Sequence, residues 1–188
     1  ESVIYVSHRH LSRISKISYP SGNIIWNIGT QWLGDTVIIP DHIFSGQHGL
    51  QLLENGNLVF FDNGILSGLY DGTNIFKSSA IEMKINENND ENSYTTETIW
   101  SYTLPTALYG VISGNVQKLD NGNYLITTVG SSDGAHILEI TESKELIWDC
   151  NLNVGTPQGA IYRSHPVCGS RTGWGHPCGG HQLSRVDR

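Results

Sequence analysis

The chain has 188 residues, 38% of them hydrophobic and 15% charged, with 21 glycines and a formal net charge of −7. That length suits one domain able to bury roughly 70% of its unfolded surface, and the glycine-rich, charge-poor composition favours short strands and tight turns over long helices. With 11 Lys and Arg in an acidic chain, no nucleic-acid partner is expected, because phosphate-backbone binding needs clustered cations; no membrane span is expected either, since no apolar run reaches about 18 residues.

In chain order, the opening SVIYV reads as a strand without a signal-peptide pattern, and it runs into VSHRH at residues 6–10. Side chains alternate along a strand, so His8 and His10 face opposite ways and only one can reach a shared site; His10 is the one assigned to it. By the same alternation Arg9 joins His10 only if the strand twists or bulges at its end. A short strand over Ile14–Ile17 follows, then a turn at Pro20-Ser21-Gly22 and the segment NIIWNI through Trp26.

Further on, SGQHG at 45–49 places His48 at the entrance of a strand, with glycine on either side of the Gln-His pair. A side chain there projects into open space rather than packing. Two imidazoles and a guanidinium at strand edges suggest an anion site. The stretch LQLLENGNLVFF from Leu50 puts Asn-Gly between two apolar runs, which predicts a hairpin with positive φ at both turn positions. Asp62 and Asn63 then close that hairpin, a hydrogen bond to His48 being the alternative role.

The pattern repeats. Ala80–Ile85, a polar loop and ETIWSY through Trp100 precede a second hairpin, VQKLDNGNYLIT from Val116; His136–Thr141 and ELIWDC through Trp148 follow. Each unit reads as four antiparallel strands ending in an Ile-Trp pair, with the tryptophans packed between units. Such repetition defines an all-β fold, a β-propeller segment of about three four-stranded blades. Residues 1–29 form the later strands of one blade, 44–105 a second, 111–153 a third, and 154–165 open a fourth. Closure needs at least four blades, so residues 1–165 are a partial propeller domain, and pairing with another copy stays open. Residues 166–188 are an irregular Gly- and Arg-containing tail. Their Cys168, His176, Cys178 and His181 resemble a zinc cluster but match no paired ligand spacing, and with Cys150 the odd cysteine count gives no disulfide framework. No cofactor or metal is expected. His42, His136 and His165 read as structural or unassigned.

Taken together, VSHRHLSRISKI, SGNIIWNIG, SGQHGLQLLENGNLVFFDNG, GNVQKLDNGNYLIT and ILEITESKELIWD resemble the aryl-sulfate sulfotransferase family, across residues 3 to about 165. YRSH at 162–165 is similar to a segment near the end of such chains. The resemblance implies a six-bladed propeller, periplasmic or secreted, that moves a sulfuryl group from a phenolic sulfate donor to a phenolic acceptor through a sulfated histidine, without a nucleotide sulfate. It assigns that histidine to His48, a surrounding histidine to His10, and a place in the same motif to Arg9. A further family histidine would come from an earlier blade, absent from this chain.

The chemistry suits these residue types. Sulfuryl transfer resembles phosphoryl transfer, so positioning and donors aimed at the sulfuryl oxygens dominate. An imidazole with an ordinary pKa near 6.5 is mostly neutral at pH 7 and attacks without a strong base, which gives a covalent intermediate and ping-pong kinetics. A protonated His10 would hold the oxygens or protonate the departing phenolate. Two rival readings are a non-catalytic propeller that binds or scaffolds, and a metal site built from His10 and His48 with His8.

Overall fold

A computed structural model describes residues 2–33, 36–38, 44–88, 93–131, 134–152 and 161–166. Among them the protein is all-β apart from one four-residue helix, α1 (Ser67–Tyr70), and two short 3-10 turns. The first sheet holds β1 (Ser2–His8), β2 (Arg13–Tyr19) and β3 (Ile24–Gly29) in that order. A two-stranded ribbon follows, β4 (Gln31–Leu33) with β5 (Thr36–Ile38). The second sheet runs β6 (His48–Leu52), β7 (Leu58–Asp62), β8 (Ser79–Asn88) and β9 (Ser93–Thr103). The third runs β10 (Asn115–Lys118), β11 (Tyr124–Ser131), β12 (Gly134–Ile140) and β13 (Leu146–Leu152). Every pairing is antiparallel between sequence neighbours.

These boundaries match the repeating units read from the sequence, with the first sheet one strand short of four. The ribbon of β4 and β5 was not anticipated. His42, residues 154–160 of the expected fourth unit, and the Cys168–His181 cluster lie outside the described residues; the described remainder, 161–166, forms no strand.

The Asn-Gly turns differ from expectation. Gly56 and Gly122 have φ of +84° and +86°, whereas Asn55 and Asn121 are not in the left-handed region. In each turn the glycine N–H donates back to a leucine carbonyl, Gly56 to Leu53 at 2.9 Å and Gly122 to Leu119 at 2.9 Å. This is a three-residue loop with a bulged glycine rather than a two-residue primed turn. The asparagine side chain decides it, because Asn55 Oδ1 accepts from the Asn57 N–H at 3.0 Å and Asn121 Oδ1 from the Asn123 N–H at 3.0 Å.

The central sheet is covered on both faces, as the period-2 alternation of LVFF allows. Leu58 and Phe60 join Ile14, Trp26, Phe44 and Met83 in one core, while Val59 and Phe61 join Trp100, Val116, Tyr124 and Ile126 in another. The tryptophans bridge successive sheets. Trp26 of β3 donates its indole N–H to Glu87 of β8 at 2.8 Å, and Trp100 of β9 stacks on Tyr124 of β11 with ring centroids 3.6 Å apart and donates to the Glu142 carbonyl at 3.0 Å. Trp148 of β13 is only half-buried. Among the described residues no helix is long and apolar enough to cross a membrane.

Candidate active site

The site is assembled where one end of the first sheet meets the start of the second. β1 stops at His8, and Arg9–Leu11 fold into a 3-10 turn that ends at Ser12 with φ of +47°. That turn breaks the strand alternation, so Arg9 and His10 share one locality: the Arg9 Nη1 lies 3.2 Å from His10 Nε2, and Arg9 Nη2 donates to the Val111 carbonyl at 3.3 Å. Guanidinium nitrogen only donates. His10 Nε2 therefore accepts in this contact.

His48 is brought alongside by its own loop. The Gly46 N–H donates to Ser12 Oγ at 3.0 Å, and Gln47 Nε2 donates to Ser7 Oγ at 3.0 Å and to the Arg13 carbonyl at 2.9 Å. These bonds tie the entrance of β6 to the β1–β2 connection. Gly49, with φ of +65°, lets the chain pass close to β10, where a Cβ would come within 2.6 Å of Asn115 Oδ1.

Asn63, not a further histidine, is the closest partner of His48. Its Nδ2 donates to the Gly110 carbonyl at 2.6 Å and the Ser113 carbonyl at 2.8 Å. With both amide hydrogens committed, the atom turned to His48 Nδ1 at 2.7 Å is Oδ1. His48 Nδ1 must therefore carry the proton, and Nε2 keeps its lone pair. Burial lowers the His48 pKa below its usual 6.5, and the Arg9 guanidinium adds to this, outweighing the opposing hydrogen bonds of Asn63 and Gly46. The neutral, Nε2-basic imidazole is thus the resting form at neutral pH.

Behind Asn63, Asp62 is buried and accepts the Ser45 and Gly64 N–H groups, each at 2.8 Å. Burial raises its pKa to about 7 in spite of those two bonds. Asp62 pairs with Ser79 across β7 and β8, and the chain between them runs through α1 instead of turning directly. Asp62 and Asn63 therefore brace the His48 loop rather than close a tight hairpin.

The remaining histidines are placed elsewhere. His8 Nε2 lies 3.0 Å from Ser15 Oγ, which itself donates to Asn27 Oδ1 at 2.6 Å, so Ser15 accepts from His8 across the first sheet. His136 pairs with Asp149 at 2.9 Å, and His165 Nδ1 is hydrogen-bonded to Gln117 Nε2. Among the described residues no group of three His, Cys, Asp or Glu could hold a metal ion, and Cys150 is free. Residues that sequence reasoning passed over are those of the 110–113 loop, whose three carbonyls anchor Arg9 and Asn63, and Tyr162, whose ring meets that of His48 edge-on with centroids 6.1 Å apart.

The site thus holds a neutral imidazole with an unprotonated Nε2 within the electrostatic reach of the Arg9 guanidinium. The chain matches the family model described as Arylsulfotransferase (ASST) over residues 1–163, and it belongs to that family. The search of curated proteins finds no match.

Proposed function

We propose that this chain is the nucleophile-bearing part of an arylsulfotransferase that works through a sulfated His48. His48 Nε2 attacks the sulfur of a phenolic sulfate ester, the S–O bond to the ring breaks, and a phenolate leaves; a phenolic acceptor then takes the sulfuryl group from Nε2. The Arg9 guanidinium holds the sulfuryl oxygens, where negative charge gathers. In turning to them Arg9 releases His10 Nε2, which becomes free to carry a proton to the leaving phenolate and from the acceptor. The three sheets, each packed face to face on the next with a tryptophan at the junction, support a partial propeller domain over residues 1–165. The family resemblance supports six blades in the whole protein and a periplasmic or secreted location.

The observation that carries this reading is the doubly anchored Asn63 amide, which leaves His48 a free, unprotonated Nε2. Initial rates with 4-nitrophenyl sulfate and phenol test it. Parallel double-reciprocal lines, and loss of transfer in both His48→Ala and His48→Gln, are the expected result; converging lines, or transfer surviving in those variants, would overturn it.

A further inference from the structure

The segment 161–166 returns to the site. Ser164 Oγ bonds Thr127 Oγ1 of β11 and His165 bonds Gln117 of β10, and these contacts fix the segment against the third sheet. Between them and the second sheet, Tyr162 sets its ring edge-on to His48 with an interplanar angle of 80°. Tyr162 is 54% exposed, and its hydroxyl has no hydrogen-bond partner among the described residues. It is a phenol, the chemical class that the proposed reaction uses as acceptor, and its ring stands against that of His48.

We propose that Tyr162 is an intramolecular sulfuryl acceptor, so that the protein modifies itself on this tyrosine when no free phenol is supplied. The inference rests on the sulfated-His48 reading. A tethered acceptor is favoured over a dissolved one because its translational freedom is already lost. In the step, Tyr162 Oη forms a bond to sulfur as the N–S bond to His48 Nε2 breaks. The electron pair returns to Nε2, which takes up the phenol proton and passes it to solvent. No oxidant or reductant is involved. The product is a tyrosine O-sulfate, a fixed anion beside His48 that repels a second anionic donor and removes the hydroxyl that accepted the group. Free phenol competes with Tyr162 and protects it.

The test incubates the full chain with 4-nitrophenyl sulfate and no acceptor, then maps the added sulfuryl group by peptide mass. The wild type is expected to carry it on the peptide ending at Arg163, with activity lost in step and excess phenol suppressing both. Tyr162→Phe keeps the ring, so it should still release nitrophenol and label His48 while losing the second label entirely; His48→Ala should lose both. Label on His48 with Tyr162 unmodified after prolonged donor exposure would overturn the self-transfer and leave the sulfated-His48 reading standing. Absence of both nitrophenol release and label on His48 would overturn that reading, and the self-transfer with it.

Discussion

Asn63 Oδ1 accepts a 2.7 Å hydrogen bond from His48 Nδ1 while the Asn63 amide nitrogen is spent on the Gly110 and Ser113 carbonyls. The tautomer of His48 is thereby set by a loop on the neighbouring sheet. Removing the amide in Asn63→Ala frees the imidazole to rotate and to change tautomer, leaves the Ser113 carbonyl without its donor, and leaves the Gly110 carbonyl with only the longer bond from Ser78 Oγ at 3.3 Å. Transfer should fall about 10–100-fold, as when a partner that orients a histidine is removed, and stability should drop by about 1–3 kcal/mol. Steady-state kinetics and a thermal melt check both.

The pH profile follows from the same contacts. Because His48 titrates below 6.5 and in the proposed reaction attacks as the neutral base, sulfuryl uptake should be flat at neutral pH and fall only at a lower pH. Arg9 adds to the lowering, so Arg9→Gln should shift this acid limb upward toward 6.5, besides reducing the rate. Asn63→Ala removes a contact that raises the pKa, and should shift the limb the other way. Burst rates across pH separate the two.

Asp62 gives stability the opposite slope from an ordinary carboxylate. Its folded pKa of about 7 lies above the unfolded 3.8, so the folded state binds more protons between those values. The associated stability is fully present below pH 3.8 and is lost as pH rises to about 7, an effect on the order of 4 kcal/mol at most. Asp62→Asn keeps an oxygen for the Ser45 and Gly64 N–H groups without the buried charge. It should melt higher than wild type at pH 7.5 and no longer lose stability between pH 4 and 7.

Trp100 joins the second and third sheets through its stack on Tyr124 and its bond to Glu142. Trp100→Ala should cost about 3–5 kcal/mol. Tyr124 is further held by Glu82 at 2.6 Å, and burial and that bond raise its pKa to about 12, so it stays a neutral stacking partner across the accessible pH range. Denaturant melts of Trp100→Ala and Trp100→Phe measure the loss, the second smaller than the first.

Much of the strand order was legible because the signals are local. Asn-Gly-Asn turns and Ile-Trp pairs mark the strands of β6 to β13, although the pairs lie within β3, β9 and β13 rather than at their ends, and the turn type was misread because Asn55 and Asn121 bond their own backbone two residues on. His48, His10 and Arg9 stood out through motif resemblance, and the 3-10 turn at Arg9–Leu11 is what lets Arg9 and His10 meet. Hidden from the sequence were the contacts of large separation. Nothing near Asn63 announces that carbonyls of the 110–113 loop will hold its amide, and nothing near Tyr162 announces His48. The ribbon of β4 and β5 was passed over because its strands are three residues each, too short for a period-2 pattern to register.

The most direct measurement is the site of the first covalent adduct. The chain is mixed with 4-nitrophenyl sulfate, stopped within the burst, digested and read by peptide mass. A sulfuryl group on the peptide carrying His48, formed at the rate of nitrophenol release and much slower to appear in Asn63→Ala, is the result this account predicts. Nitrophenol release with no adduct on His48, or an adduct formed equally fast without Asn63, would contradict it.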